Sequence, residues 1–388
     1  MLVRKRLLCS ILMACTLLLS VLFTSMQANS AFADPNFGAA GDYGCNSNTQ
    51  KTLSNIKSHT TVERHLALGD YSYQSTGTCW LNMIDSSNLK SRTRITIGNH
   101  EDDSDEGFSQ YMSFFGLSNT YYAFTYGNAR FIVMDSDHSS FSSGSSQYNF
   151  VISQLQQASQ DPNIKWIIVY LHTLMYTSPN TCSSGSCSNT GSTPTNLRNT
   201  YHAKFDQYGV DVVLNGHLHN YQRTYPIEYD SGSPSSPTVT NTNAWDYADP
   251  TGEIFATVGT GGVNLHGLAG KSSFVKYQQD DRFGALDLSV ENNGYTLAGR
   301  YYTNDGVKRD VFKITKTGTA QYNFGPSLSL SGEAASSTLS GEDTSLGVSG
   351  GDVEVKNGQD NGKQPGQVKG QGQGLECDHF TQQGPTRC

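Results

Sequence analysis

The sequence predicts one mixed α/β domain from Asn36 to about Lys316, on two observations. Short apolar, strand-like runs alternate with loops and a few helical stretches. Several of these runs also end in a glycine or a polar loop that opens with a potential metal ligand: FGAAGD at Asp42, LALGD at Asp70, ITIGNH at Asn99, WIIVYLH at His172 and VVLNGH at His217. In open α/β sheets functional groups gather at the carboxyl ends of buried strands. Five strand ends therefore deliver side chains to one rim.

The last of these stretches, NGHLHNYQR, follows the apolar residues Val210, Val212, Val213 and Leu214 and holds two of the chain's ten histidines. Residues i and i+2 of a strand share a face, and Gly216 lets the backbone turn where the strand stops. Both imidazoles, His217 and His219, can then converge on one point.

At 388 residues the chain can hold one large domain or two ordinary ones. A net charge of -8, a pI near 5.6 and the lack of a basic stripe argue against nucleic acid as a partner. Residues 1–33 combine a basic start, a long apolar run and small residues at Ala31 and Ala33. This reads as a secretory signal cleaved after Ala33, with an uncleaved membrane anchor as the alternative and no later segment able to span a bilayer. Residues 34–320 form the predicted main domain. Residues 321–388 are rich in Ser, Gly and Gln, carry too little apolar surface to offset chain entropy, and read as a flexible tail.

Cys45, Cys79, Cys182, Cys187, Cys377 and Cys388 remain once the leader is removed, an even number that suits disulfides in an exported chain. Six cysteines allow 15 connectivities; proximity favours Cys182 with Cys187 and Cys377 with Cys388, which leaves Cys45 with Cys79. No Asn-X-Ser/Thr acceptor occurs, so N-glycosylation is not expected.

Two carboxylates, one amide oxygen, one phenol and three imidazoles are too many ligands for one tetrahedral zinc, but they suit two ions sharing a bridge. Two ions roughly 3.5 to 4 Å apart stabilise both attacking and leaving oxygens of an in-line phosphoryl displacement. The implied chemistry is phosphate ester hydrolysis.

GDYG at 41–44, GDYSY at 69–73, GNHE at 98–101, His172 after its strand and GHLH at 216–219 resemble, in order, the five motifs of the calcineurin-like metallophosphoesterases. Within that superfamily the chain looks most like the purple acid phosphatases, because Tyr73 stands three residues after Asp70 where that family places its iron-binding tyrosine. The flanks NYQR, GTGG at 259–262 and FGALDLSVENNGYTLAGRYYTNDG agree. The resemblance covers roughly Asn36 to Lys316 and implies a four-layer α/β/β/α sandwich with two central mixed β-sheets.

Carried over by position, the resemblance implies that Asp42, Tyr73 and His219 hold a first metal, Fe(III). Asp70 bridges, and Asn99, His172 and His217 hold a second ion, which is Fe, Zn or Mn. A phenolate favours a trivalent ion and predicts a visible colour. The resemblance makes a metal-held hydroxide the nucleophile, and puts Asn99 and His100 beside the substrate, a small phosphate ester. Protonated His100 would bind the phosphate or protonate the leaving alkoxide, giving an acid optimum.

This chain departs from the plant enzymes in having no histidine between His172 and Cys182, which leaves a second substrate-contacting group unassigned. His202 is a candidate, although its setting in NTYHAKF reads as a helix surface. The acidic run EDDSDEG reads as a solvated loop, GTGG as a turn between strands, and His59, His65, His138, His266 and His379 as surface or core residues. Three functions fit these residues: a secreted acid phosphomonoesterase; a Mn- or Zn-dependent phosphodiesterase or nucleotide hydrolase of the same superfamily; and an exported binding protein with a degenerate metal site.

Overall fold

The computed structural model describes residues 35–59, 63–101, 106–183 and 185–317. The predicted leader and the tail with Cys377 and Cys388 lie outside the described residues. Among the described residues no helix is long and apolar enough to cross a membrane.

Two seven-stranded mixed sheets carry the fold. The first is built around β1 (Asn36–Ala40), β2 (Arg64–Ala67) and β3 (Thr93–Ile95), which run parallel to one another. The second contains β4 (Tyr122–Tyr126), β5 (Ala129–Val133), β6 (Trp166–Tyr170), β7 (Val212–Asn215) and β8 (Tyr221–Thr224). A two-stranded ribbon of β9 (Ile227–Glu228) and β10 (Thr238–Val239) stands apart from both. The chain then supplies β11 (Asp246–Ala248) to the first sheet and β12 (Ile254–Val258) and β13 (Val275–Gln279) to the second. Long hairpin strands β14 (Gly284–Glu291), β15 (Thr296–Thr303) and β16 (Lys308–Thr315) complete the first. Their orders are β11-β16-β15-β14-β1-β2-β3 and β13-β8-β12-β7-β6-β5-β4.

The alternation of side chains along each strand explains the layering. In β6, Trp166, Ile168 and Tyr170 join a core shared with Phe37, Leu66 and Leu286 of the first sheet, whereas Ile167 and Val169 join a second core. That second core is closed by α4 (Ser146–Gln160) and α5 (Ser192–Tyr208) through Val151, Leu155, Leu197 and Phe205. On the outer face of the first sheet, α1 (Ser47–His59) packs against β1, β14 and β15. Two shorter helices, α2 (Thr78–Ser86) and α3 (Glu106–Phe115), pack on each other. WIIVY reads as an unbroken apolar run because a parallel strand between two layers is buried on both faces. The result is the predicted α/β/β/α sandwich.

The structure forms two of the three disulfides expected from proximity, Cys45–Cys79 and Cys182–Cys187. One expectation fails: His202 is not on a helix surface but fully buried on α5, where the helix turns it toward the second sheet.

The two sheets are also joined by a buried charge pair. Arg223 on β8 donates through Nε and Nη2 to the two carboxylate oxygens of Asp310 on β16, at 2.6 and 2.9 Å, and Tyr221 Oη donates to Asp310 Oδ2 at 2.9 Å. Removing one member of such a pair strands the other charge in the core. We expect Asp310→Ala to lower the unfolding free energy by about 3–5 kcal/mol in urea titrations followed by circular dichroism. The Arg223→Met, Asp310→Leu double variant should recover most of that loss, and a single variant as stable as the parent would remove this pair from the account of sheet docking.

Candidate metal centre

The parallel strands of both sheets end at one rim. The loops after β1, β2 and β3 bring Asp42, Asp70 and Asn99, and those after β6 and β7 bring His172, His217 and His219. The glycines that precede these ligands in sequence have a geometric reason. A Cβ on Gly98 would stand 2.3 Å from Asp70 Oδ1, and one on Gly69, whose φ is +88°, would stand 2.5 Å from His172 Nδ1. Asp42, Asp70, Tyr73 and His217 themselves have φ between 53° and 68°, a left-handed conformation that costs a non-glycine residue about 1–3 kcal/mol. Four of the eight non-glycine residues of this kind, among the described residues, thus belong to the site.

The side chains form two groups that share Asp70. In one, Tyr73 Oη lies 3.2 Å from Asp42 Oδ1, 3.2 Å from Asp70 Oδ2 and 3.0 Å from His219 Nε2. In the other, His172 Nε2 lies 3.2 Å from Asp70 Oδ2 and 3.2 Å from Asn99 Oδ1, and His217 Nδ1 lies 2.8 Å from Asn99 Oδ1 and 3.3 Å from His172 Nε2. Every sequence-predicted ligand is therefore in one of the two groups. His100 stands at the mouth, its side chain 49% exposed, its ring centroid 4.4 Å from that of Tyr73, and its backbone N–H bonded to Asp70 Oδ1 at 2.9 Å.

These contacts bring together more electron pairs than protons. His172 Nδ1 and His219 Nδ1 each face a backbone carbonyl, of Leu68 and Asn264, at 2.7 Å. A carbonyl only accepts, so each Nδ1 carries the hydrogen and each Nε2 turns a lone pair inward, the arrangement of a metal-binding imidazole. The single phenolic proton of Tyr73 cannot serve three acceptors, and Asp42 Oδ2 is buried with no hydrogen-bond partner at all. The donor set fits cations.

Without cations, protons relieve the crowding. Burial opposes charge on His172, but Asp70 beside it outweighs burial and raises its pKa well above the ordinary value; His219 is raised in the same way by Asp42. Burial works against the Asp70 carboxylate too, yet His172 and His100 hold its pKa below the usual carboxylate range. Burial, then Asp42 and Asp70, push the Tyr73 phenol well up, so its proton leaves only if another positive charge replaces it.

A cleft of ≈ 410 Å³ opens over these groups, and several of its walls were not legible as site residues. His266 stacks on His219 with ring centroids 3.9 Å apart, although the sequence marks it only as a surface or core histidine. Asp137 follows β5, another parallel strand of the second sheet, and the run FIVMDSD offered the same signal as the other five. The Cys182–Cys187 loop brings Ser186 Oγ to 3.2 Å and Cys187 Sγ to 3.8 Å from His217 Nε2.

Glu101, read as the start of a solvated acidic loop, is instead buried. Its carboxylate accepts from the amides of Asp70, Tyr71 and Gly98 at 2.8, 2.7 and 2.9 Å, tying the ends of β2 and β3 together; burial and Asp70 push its pKa up to about 8. Residues 102–105 lie outside the described residues. GTGG is a turn after β12, and a Cβ on Gly259 would come 2.8 Å from Asp42 Oδ2, so its glycines admit the ligand loop rather than a phosphate. His202 is not among the residues lining the cleft, being engaged with Glu253, and leaves the second substrate contact to other groups.

Residues 31–221 match the calcineurin-like phosphoesterase family. Among curated relatives, purple acid phosphatase 1 of Ipomoea batatas is 26% identical over 300 residues, covering 70% of this chain and 60% of its own length. Phosphoenolpyruvate phosphatase of Allium cepa is 26% identical over 310 residues, covering 73% and 60%. This chain spans 38% to 60% of the first curated relatives it matches. A purple acid phosphatase from yellow lupin (Lupinus luteus) seeds shares the fold, with a TM-score of 0.61 at 21% identity over 77% of this chain and 57% of that one. The ordered motifs, the two-sheet sandwich and these relatives agree: residues 31–221 carry a calcineurin-like phosphoesterase domain, and the chain is similar to purple acid phosphatases in sequence and fold.

Proposed function

We propose that this chain is an exported acid phosphatase with a binuclear metal centre that hydrolyses phosphate monoesters. The observation that carries the reading is the paired donor set around Asp70, with the orphaned Asp42 Oδ2 inside it. Asp42, Tyr73 and His219 would hold Fe(III), Asn99, His172 and His217 would hold Fe, Zn or Mn, and Asp70 would belong to both. Such a pair supplies positive charge that stabilises the attacking and leaving oxygens of an in-line phosphoryl displacement. The two disulfides support export, because such bonds persist in oxidising compartments.

The chain's own residues divide the remaining work. Asn99 and the half-exposed His100 meet the ester at the mouth of the cleft. The bond from the His100 amide to Asp70 fixes where that imidazole stands. There it is placed to donate a proton to the departing alkoxide. His266 and Asp137 line the same cleft and are candidates to stand in for the absent plant-type histidine.

The purified mature protein should show a broad visible band and about one iron per chain beside a second metal, and Tyr73→Phe should lose the band. A colourless protein with two Zn or Mn would move the assignment to a phosphodiesterase or nucleotide hydrolase of the same superfamily.

His100→Ala should lower kcat about 100-fold for an alkyl phosphate and much less for p-nitrophenyl phosphate, whose leaving group departs without a proton. Equal losses on both esters would rule out His100 as the proton donor.

A further inference from the structure

At the opposite end of the second sheet lies another cluster of ligand-type side chains. His202 and Asp206 sit four residues apart on α5 and so share a helix face, and Glu253 stands just before β12. Because β7 and β12 run parallel, Glu253 is at the end of the sheet remote from the rim that carries Asp42 and His217. One atom from each of the three side chains falls within 4.8 Å of the others.

The polar atoms of this cluster are not satisfied by the protein. Glu253 and His202 are fully buried, and Glu253 Oε1 lies 3.0 Å from His202 Nε2. Yet neither oxygen of Glu253 makes a hydrogen bond, and neither does His202 Nε2 or Asp206 Oδ1. The other atoms are already engaged in ways that aim these four inward. Tyr176 Oη is 2.6 Å from His202 Nδ1, and the Tyr229 amide donates to Asp206 Oδ2 at 3.0 Å. Four buried polar atoms without a hydrogen bond are costly, and a single divalent cation would neutralise the pair of acids while satisfying all three side chains.

We propose that His202, Asp206 and Glu253 form a second, structural metal site that takes one divalent first-row ion of the Zn2+ class. One imidazole nitrogen and two carboxylate oxygens suit Zn2+, with water completing the shell. Asp206, with 24% of its side chain exposed, gives the ion a route in. The ion clamps α5 to the start of β12. This site stands apart from the catalytic reading and does not depend on it.

The competing account is that protons alone neutralise the cluster. Burial, with Glu253 beside it, pushes Asp206 up to about 7, and burial lowers His202 to about 4, which is how the metal-free cluster would hold its charge.

The test compares the whole protein with Glu253→Gln and His202→Gln, each stripped with a chelator and reloaded with Zn2+. We expect each variant to hold about one zinc per chain fewer than the parent, to lose part of the zinc-induced rise in Tm, and to keep the parent's kcat with its catalytic metals restored. Two variants guard against failure of either one to fold. Because the reading is a difference between parent and variant, it holds whatever metal the main centre takes, or none. Equal zinc content in parent and variants, with a Tm that responds to pH and not to zinc, would replace the metal by shared protons.

Discussion

The rest of the site depends on the Asp70 carboxylate, buried where it touches both donor groups. One oxygen faces Tyr73 and His172, and the other accepts the His100 amide. A charge so placed is tolerable only among positive partners, and the surrounding groups follow from that need. Glycine at 98 leaves room for its Oδ1, Glu101 braces its own amide, and its backbone takes a left-handed turn to reach the position. Strain at Asp42, Asp70, Tyr73 and His217 persists because the strands on which they ride are rigid and buried.

That rigidity extends into the segment after the paired histidines. NYQR follows GHLH directly, and its residues anchor rather than react. Asn220 donates to the His266 carbonyl, Gln222 accepts the Ser178 amide at 2.7 Å, and Tyr221 stacks on Tyr301 of the other sheet with centroids 3.9 Å apart. Arg223 then locks onto Asp310. His219 is therefore held two to four residues from the principal polar tie between the sheets.

How much was legible in the sequence follows from how local each signal is. Asp42, Asp70, Asn99, His172 and His217 announce themselves because an apolar run, a turn and a polar side chain are contiguous. Cys182–Cys187 was suggested by a separation of five residues, whereas Cys45–Cys79, 34 residues apart, was only what the other pairs left over. Tyr73 carried no signal of its own among 21 tyrosines, and only the resemblance raised it. His266 reaches His219 by a return of the chain 47 residues later, and no period in the sequence encodes that stacking. Glu101 sits at the head of an acidic run, so composition pointed to water while three backbone amides drew its side chain inward. His202 misled because Tyr176 and Glu253, which cover it, are distant in sequence; its helix position alone does not say which face is covered.

His172 and His202 make a useful pair for separating what burial does from what neighbours do. Both are fully buried, and both have Nδ1 occupied and Nε2 beside a carboxylate. Burial opposes charge on each, yet His172 is raised far above its ordinary value whereas His202 is lowered. The difference lies in the acids. Asp70 is held ionised by more than one imidazole and by the His100 amide, so it returns charge to His172. At Glu253 burial outweighs the hydrogen bond with Asp206 that works against it, and its pKa is raised well above the ordinary value. A buried imidazole is thus raised where the carboxylate beside it is held ionised, as at His172, and lowered where burial dominates, as at His202.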